Sequence, residues 1–189
     1  MRISVITPTR GRLSLRQTLA SINEQLEPGD EHIVIGDGPQ VNARRMCLEY
    51  GAEYHQGACT ASWGNAQRDL GISIAQGDYL AFCDDDDVFV YGALATVRFA
   101  IADNPGKPFM FKMRVPNGGV LWRKRGNLGH AEIGTPMFVC PNDKGKMGTW
   151  ATSQDKYAAD HWFITNTLSH YHPSDLIWRE EVICLCRNA

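Results

Sequence analysis

The first half of the sequence alternates short apolar runs with longer amphipathic segments, and this alternation limits the folds that the chain can adopt. The apolar runs are typical of buried strands, whereas the segments between them carry apolar side chains at helical spacing. Such alternation predicts an α/β fold with a mostly parallel, Rossmann-like sheet flanked by helices. The predicted strands are 3–7, 32–37, 52–55 and 78–83, and the predicted helices are 15–26 (with Ser14 and Gln17 as a capping box), 41–50 and 62–76.

The second half of the sequence has a different pattern. Two apolar runs flank Asn-Gly-Gly at 117–119, which predicts a β-hairpin. Tyr157, His161, Ile164 and Leu168 form an apolar stripe that predicts a late helix. The predicted elements are the hairpin over 109–115 and 120–123, strands over 135–140, 176–178 and 182–186, and helices over 88–102 and 155–169.

Four consecutive aspartates, Asp84 to Asp87, end the strand predicted over 78–83. Like charges about 4 Å apart repel by roughly 4 kcal/mol at an effective dielectric of 20, so the cluster needs a cation or a helix N-terminus beside it. On an extended chain, Asp84 and Asp86 would share one face, and Asp85 and Asp87 the other. Two carboxylates on one face suit Mg²⁺ or Mn²⁺, which keep coordination positions for phosphate oxygens.

A purely structural role is available for one member of this run. Asp87 could cap the helix predicted over 88–102, or complement its dipole as a first-turn acid. That role leaves three aspartates unexplained. A calcium loop of the EF-hand kind does not fit, because Val88 and Phe89 interrupt its ligand spacing. We therefore favour the metal site, with which a cap at Asp87 is compatible.

Polar residues also follow two other predicted strands. In open α/β sheets, ligands bind beyond the carboxyl ends of the strands, so the three strand ends should converge on one crevice. The aspartate at the end of the second strand can accept a hydrogen bond from a nucleobase, threonines of the first loop can bond the base or its ribose, and arginines can approach a diphosphate. These candidate residues are Asp37, Thr7, Thr9, Arg10, Arg12 and Arg68.

Composition indicates a globular chain of 189 residues, 43% hydrophobic, with a formal net charge of −2. We expect no membrane span and a cytoplasmic location, since no apolar run reaches membrane length or resembles a signal peptide. The compact basic stretch at 122–125 fits a solvated hairpin, and we do not expect a nucleic acid partner. The sequence does not indicate an oligomeric state.

Six cysteines are scattered in apolar settings without a Cys-x-x-Cys pair, which is typical of reduced core thiols. One zinc arrangement is conceivable, because His170 and His172 alternate onto one strand face, as do Cys184 and Cys186. The gap between the two pairs matches no familiar finger, so we do not favour it.

Residues 3–88 resemble the family 2 glycosyltransferases of the GT-A fold, within the nucleotide-diphospho-sugar transferases. The resemblance lies in Ser-Val-Ile-Thr-Pro-Thr at 4–9, Ile-Val-Ile-Gly-Asp-Gly at 33–38, and the run from Gly77 that ends in Asp-Asp-Asp-Asp. Asn-Ala-Gln-Arg-Asp-Leu-Gly at 65–71 is similar to the family's Ala-Arg-Asn-x-Gly segment. The chain departs from the family at Gly36, where a second acid is common, and at Asp69, where asparagine is usual.

This resemblance implies an inverting, metal-dependent hexosyltransferase that uses a nucleoside diphosphate sugar, a UDP-sugar first, and a glycan, small molecule or protein as acceptor. It implies one GT-A domain over 1–189, with a nucleotide-sugar half (1–88) and an acceptor half (89–189). Mn²⁺ or Mg²⁺ would be held by Asp86 and Asp84, with Asp84 also on the nucleotide side and Asp85 in the variable position. The implied nucleotide-sugar contacts are Thr7, Pro8, Thr9, Arg10, Arg12, Asp37, Arg68, Asp84 and Asp85.

An inverting transfer also needs a general base on the acceptor hydroxyl. In the family this is an aspartate at the start of a late helix, often after a glutamate. Asp160 is the nearest match, although Ala159 replaces the glutamate, and Asp155 is the alternative. Trp150 or Trp162 could stack on a sugar, and His170 or His172 could add a metal ligand.

Two other functions are compatible with parts of the pattern. A non-catalytic nucleotide- or carbohydrate-binding domain of the same fold would explain the missing glutamate before Asp160. A sugar nucleotidyltransferase shares the sheet and the metal site, but it expects a Gly-rich loop with an embedded arginine after the first strand. The loop from Thr7 to Arg12 fits that expectation poorly.

Overall fold

The computed structural model describes residues 1–150 and 158–187. Within these residues, nine strands and five α-helices alternate through the first half and become mostly extended in the second. The strands are β1 (Ile3–Thr9), β2 (Glu31–Gly36), β3 (Glu53–Gln56), β4 (Tyr79–Phe82), β5 (Val88–Phe89), β6 (Phe109–Arg114), β7 (Val120–Leu121), β8 (Phe138–Pro141) and β9 (Ile177–Leu185). The helices are α1 (Leu15–Asn23), α2 (Val41–Tyr50), α3 (Asn65–Ile74), α4 (Ala93–Asp103) and α5 (Ala159–Leu168).

The sheet is mixed, in the order β3-β2-β1-β4-β8-β6-β9-β5, with β7 beside β6. β1 pairs in parallel with β2 and with β4. The carboxyl ends of these three strands therefore lie at one edge of the sheet, which confirms the convergence predicted from the sequence. β8 is antiparallel to both β4 and β6, so it joins the parallel part of the sheet to the rest.

Helices cover both faces of the parallel part. Val34 of β2 packs in a cluster with residues of α1 and α2, whereas Ile33 and Ile35 belong to the larger core that includes Ile72 of α3. Neighbouring strand residues point to opposite faces, so α3 lies opposite α1 and α2. α3 lies close to β1, because a Cβ on Gly71 would be 2.5 Å from Ile6 Cγ2. This close approach carries the first turn of α3 to the end of β1.

Several predicted elements are confirmed in place. α2 has the predicted bounds and ends at Gly51 in the left-handed conformation. The hairpin of β6 and β7 forms as expected. The two strands predicted after 176 are one continuous strand, β9. The strand predicted over 135–140 begins as a 3-10 turn, Thr135–Met137, before β8.

Two predictions at helix starts are wrong. Ser14 makes no capping hydrogen bond, because it is already helical (φ −55°, ψ −29°) and the N–H groups of Arg16 and Gln17 donate to the carbonyls of Leu13 and Ser14. Asp87 does not cap a helix, because the next helix begins only at Ala93. The chain between them pairs as β5 with β9.

Two surface predictions can also be compared with the fold. Within the described residues, no helix combines the length and the apolar character needed to cross a bilayer. In the basic stretch, Arg123 pairs with Glu132 at 2.6 Å, and Arg125 lies 3.6 Å from Glu180. These acids offset the charge of the stretch, as expected of a solvated hairpin.

Candidate active site

A cavity of about 620 Å³ opens at the carboxyl ends of β1, β2 and β4. Because its walls come from the loops after these strands and from the start of α3, residues distant in sequence meet there. Most of the residues predicted for the site line it. The lining consists of Pro8, Thr9, Arg10, Arg12, Asp37, Ala61, Trp63, Gly64, Gln67, Arg68, Asp84, Asp85, Asp86, Asp87, Pro116, Cys186 and Arg187.

The four aspartates form a turn instead of an extended segment, since the Asp87 N–H donates to the Asp84 carbonyl at 3.0 Å. The predicted alternation of their side chains is therefore wrong. The turn spreads the four carboxylates so that each has its own partner, which offsets the repulsion expected within the run. The partners are Arg68 for Asp84, the hydroxyl of Thr9 and the backbone of Arg10 for Asp85, Arg12 for Asp86, and the backbone of Arg187 for Asp87.

Burial affects the carboxylates of this turn unequally. Asp85 and Asp87 are buried, and the side chains of Asp84 and Asp86 are 35% and 21% exposed. Burial raises the pKa of Asp85, and the hydrogen bond from Thr9 opposes that rise. Burial and the charge of Asp84 raise the pKa of Asp87 to about 7. The two carboxylates that are open to the cavity are thus the two predicted to hold a metal.

Arg68 is fixed from several sides. Its guanidinium forms an ion pair with Asp84, donates to the carbonyl of Trp63 at 3.1 Å, and lies 4.7 Å from the centre of the Trp150 ring. Trp150 in turn stacks on Phe163 of α5, with ring centroids 4.4 Å apart. Asp69, which stands where the family usually has asparagine, accepts hydrogen bonds from the backbone N–H of Trp150 at 2.9 Å and from Thr149. It thereby anchors the segment that carries Trp150 beneath Arg68.

Two further arginines contact the aspartates, one from the loop after β1 and one from the segment after β9. Arg12 lies on the surface and donates to Asp86 at 2.6 Å. Arg187 follows β9, and its Nε donates to the Asp86 carbonyl at 2.8 Å. The Nη2 atom of Arg187 is buried and makes no hydrogen bond within the described residues. No sequence motif indicated Arg187, because it comes to the cavity only through the pairing of β5 with β9.

Asp37 is positioned as a hydrogen-bond acceptor at the end of β2. Its Oδ1 accepts from the Thr60 N–H at 2.8 Å and from Gln67 Nε2 at 3.0 Å. Gln67 Nε2 also donates to the Ala58 carbonyl, which fixes the orientation of the amide. Its Oε1 is buried and has no hydrogen-bond partner among the described residues. Gln67 directly precedes Arg68, so its position next to the site could have been inferred from the sequence.

Thr7 does not line the cavity, contrary to the prediction. β1 continues to Thr9, so Thr7 lies inside the sheet, and its hydroxyl bonds Nε2 of the buried His32 at 2.9 Å. Thr9, two residues later, does reach the cavity and donates to Asp85 at 2.7 Å. The true end of the strand therefore decides which threonine can touch a ligand.

Asp160 lies in the first turn of α5, beyond the residues that line the cavity. Burial raises the pKa of its carboxyl, the hydrogen bond from the His161 N–H lowers it, and the charges of Arg68 and Asp84 also act on it. Asp160 is intermediate in exposure, more enclosed than the solvated acid that its place off the predicted stripe suggested. The buried residues of α5 are Ala159, Phe163, Ile164 and Thr167. Asp155 and Tyr157 lie outside the described residues.

The two tryptophans proposed to stack on a sugar differ sharply in exposure. Trp150 is 1% exposed within the core, so it cannot offer a face to a ligand. Trp162, on α5, is 48% exposed. Only Trp162 remains available for that role.

The donor chemistry at the aspartates fits a divalent cation that also binds a phosphate. Asp84 and Asp86 line the cavity and each bond an arginine through one oxygen, and carboxylate oxygens are hard ligands of the kind that Mg²⁺ and Mn²⁺ prefer. No group of three His, Cys, Asp or Glu side chains capable of holding a metal occurs in the described part of the chain. A cation here would therefore take two carboxylates from the protein and its other ligands from elsewhere.

The zinc arrangement is wrong for the described residues. Cys184 is buried, whereas His170 and His172 lie on the surface, where His172 bonds Ser174. All six cysteines are free, and four of them are buried. The prediction of core thiols is therefore confirmed for these four and wrong for Cys59, which is exposed, and for Cys186, which is partly exposed.

Residues 4–158 match the family model described as Glycosyl transferase family 2. Among solved structures, the fold is similar to that of S. aureus TarS, with a TM-score of 0.80 and 17% identity over the whole of this chain and 37% of TarS. TarS 1–349 in complex with UDP-GlcNAc gives a TM-score of 0.75 and 15% identity, over all of this chain and 60% of that one.

A second protein with this fold is glucosyl-3-phosphoglycerate synthase from Mycobacterium tuberculosis, in complex with Mn²⁺, UDP and glucosyl-3-phosphoglycerate. It gives a TM-score of 0.68 and 12% identity, over 99% of this chain and 72% of that one. No curated protein matches the chain. The present chain thus spans between about one third and three quarters of the lengths of these structures.

Proposed function

The chain belongs to glycosyl transferase family 2, and from that membership we propose that it transfers a hexose from a UDP-sugar to an acceptor hydroxyl, with inversion and with the help of a divalent metal. TarS 1–349 has been solved with UDP-GlcNAc, and glucosyl-3-phosphoglycerate synthase with UDP and Mn²⁺ or Mg²⁺. These ligands support a uridine nucleotide and one of these metals for the present chain.

The observation that carries the proposal is the arrangement of charges along one cavity. Asp37 offers a hydrogen-bond acceptor in the lining, and Arg68 and Arg12 pair with Asp84 and Asp86 in the same lining. A nucleoside diphosphate has a base that donates a hydrogen bond and a diphosphate that attracts cations, so it matches both groups. We assign the base to Asp37 and the diphosphate to the arginines.

Asp84 and Asp86 would hold Mn²⁺ or Mg²⁺. When bound, such a cation offsets the negative charge of a diphosphate leaving group. Binding requires the protein to exchange partners, because each of these carboxylates is now paired with an arginine. Arg68 is held by Trp63 and Trp150, whereas Arg12 lies on the surface and is free to turn toward a phosphate.

Asp160 is the proposed general base. Its raised pKa makes the carboxylate a stronger base than an ordinary surface aspartate, and the charges of Arg68 and Asp84 act on it, which supports a position within reach of the donor site. It would take the proton of an acceptor hydroxyl as that oxygen attacks the anomeric carbon from the side opposite the diphosphate. This geometry gives inversion.

The direct test is a panel of UDP-, GDP-, ADP- and CDP-sugars incubated with the protein and Mn²⁺. We expect slow release of free UDP from at least one UDP-sugar, and proton NMR of any glycosylated product to show the inverted anomer. Release of nothing from every donor, together with retained nucleotide binding, would favour the non-catalytic binding domain. Release of a nucleoside diphosphate other than UDP would show that the donor carries a nucleobase other than uracil.

A further inference from the structure

The loop that precedes α3 has an unusual backbone. Ala61 and Trp63 both have positive φ values, +47° and +58°, and Gly64 follows at +84°. Residues with a β-carbon rarely adopt this conformation, and such outliers cluster at ligand-binding sites, where surrounding contacts hold them in place. The loop therefore has a conformation that its own residue preferences do not explain.

Contacts at both ends tie this loop to the residues assigned to the nucleotide. The Thr60 N–H donates to Asp37 at 2.8 Å, and the Trp63 carbonyl accepts from Arg68 at 3.1 Å. Gly64 packs against Pro8 so closely that a Cβ on it would lie 2.8 Å from the Pro8 Cβ. The loop is thus fixed between the ends of β1 and β2, beside Asp37.

The indole of Trp63 is held out of the core by this backbone. It lines the cavity, yet the residue is 70% exposed, whereas six of the seven phenylalanines are buried. It is the one aromatic side chain among the described residues that line the cavity. The end of β1 contributes Pro8 and Thr9 and the loop after it Arg10 and Arg12, none of which offers a flat aromatic face.

We propose that Trp63 is the stacking surface for the nucleobase of the donor. The inference rests on the proposed function. Asp37 can bond the edge of a base but cannot cover its face, and an aromatic ring at the rim beside it supplies that contact. Base–aromatic stacking is tolerant of base identity, so Trp63 would contribute affinity, and Asp37 with Gln67 would contribute the choice of base.

The test compares a nucleoside diphosphate with a ligand that has no base. Binding of UDP, GDP, ADP and CDP, and of inorganic pyrophosphate, is measured by calorimetry with Mn²⁺ for the wild type, Trp63→Ala and Trp63→Phe. Tyr91→Ala is the matched control, because Tyr91 is fully exposed and lies outside the cavity lining. We expect Trp63→Ala to weaken the tightest nucleotide roughly 10- to 100-fold, Trp63→Phe to weaken it less, and pyrophosphate affinity to stay within twofold.

Other outcomes separate the inference from the function on which it rests. Unchanged nucleotide affinity in Trp63→Ala would overturn the stacking role alone. Equal losses for nucleotide and pyrophosphate would also overturn it, because they would show that Trp63 acts through Arg68. Failure of the wild type to bind any of the four nucleotides would overturn the proposed function and the inference together.

Discussion

Arg12 Nη1 donates a hydrogen bond to Asp86 Oδ2 at 2.6 Å and lies 3.7 Å from Asp85 Oδ1. The guanidinium thus lies against the carboxylate of Asp86 in the cavity lining, where a divalent cation would bind. Asp86 is the carboxylate assigned to the metal, and Arg12 is assigned to the diphosphate. When no ligand is bound, Arg12 therefore takes the place of the metal at Asp86, and Asp86 takes the place of the diphosphate at Arg12.

Arg12→Gln is expected to change the two affinities in opposite directions. Without the competing cation, Mn²⁺ alone should bind up to about fivefold more tightly, since an exposed ion pair contributes less than about 1 kcal/mol. UDP in the presence of Mn²⁺ should bind roughly 10-fold more weakly, because a charge-assisted hydrogen bond is lost. Free Mn²⁺ measured by electron paramagnetic resonance, and UDP titrations by calorimetry, give the two values.

Arg16→Gln is the matched control for this variant. Arg16 lies four residues further on and pairs with Glu49 at 2.8 Å, away from the cavity. It should leave both affinities unchanged. If Arg12→Gln shifted Mn²⁺ and UDP in the same direction, the exchange of partners would be refuted.

Asp160→Asn should separate donor binding from transfer. The amide keeps the shape and still accepts from the His161 N–H, but it cannot take a proton. General-base catalysis contributes about 10²- to 10⁴-fold, so transfer should fall by at least 100-fold while UDP affinity stays within twofold. Single-turnover transfer and calorimetry measure the two effects. Transfer at the wild-type rate would remove Asp160 from the mechanism and direct attention to Asp155.

His32 is expected to make the fold sensitive to acid. It is buried between Thr7 and Asn23, and burial lowers its pKa to about 3. In the unfolded chain its pKa is about 6.5, so between these values the unfolded state binds a proton that the folded state does not. The contribution of His32 to stability therefore falls as the pH falls, by about 2 kcal/mol between pH 7 and pH 5, whereas Asp87, whose pKa is raised to about 7, contributes in the opposite direction over this range. Urea unfolding at a series of pH values measures this slope.

His32→Gln should remove only the His32 contribution, because glutamine does not titrate, so acidification from pH 7 to pH 5 should cost this variant less stability than it costs the wild type. His170→Gln, at an exposed position, should keep the wild-type slope. An unchanged slope in His32→Gln would show that the acid sensitivity arises from other groups.

Much of the parallel half of the fold could be predicted from the sequence, because its strands and helices have clear periodicity and α2 ends at a glycine. The turn at Asp84–Asp87 could not, since alternation assumes an extended chain and the repulsion between carboxylates is relieved by bending toward separate partners. The start of α4 was also missed, because β5 forms only through its pairing with β9, about a hundred residues later.

Predicted site residues from three different parts of the chain meet at the cavity. Asp37, Arg12 and Arg68 line the cavity as expected. Thr7 was misplaced because the strand runs two residues further than its apolar run. No sequence pattern indicated Arg187 or Trp63. Arg187 reaches the cavity through long-range strand pairing, and Trp63 through an unusual backbone conformation. The roles assigned to the site residues, the two halves of the domain and the cytoplasmic location stay predictions.

The central claim is that Asp86 links a divalent metal to a nucleoside diphosphate. Calorimetry of UDP with and without Mn²⁺, on the wild type, Asp86→Asn and the exposed-site control Asp103→Asn, tests it most directly. We expect Mn²⁺ to tighten UDP binding at least 10-fold in the wild type and in Asp103→Asn, and to have no effect in Asp86→Asn. Equal UDP affinity with and without Mn²⁺ in the wild type, or full metal dependence in Asp86→Asn, would contradict the claim.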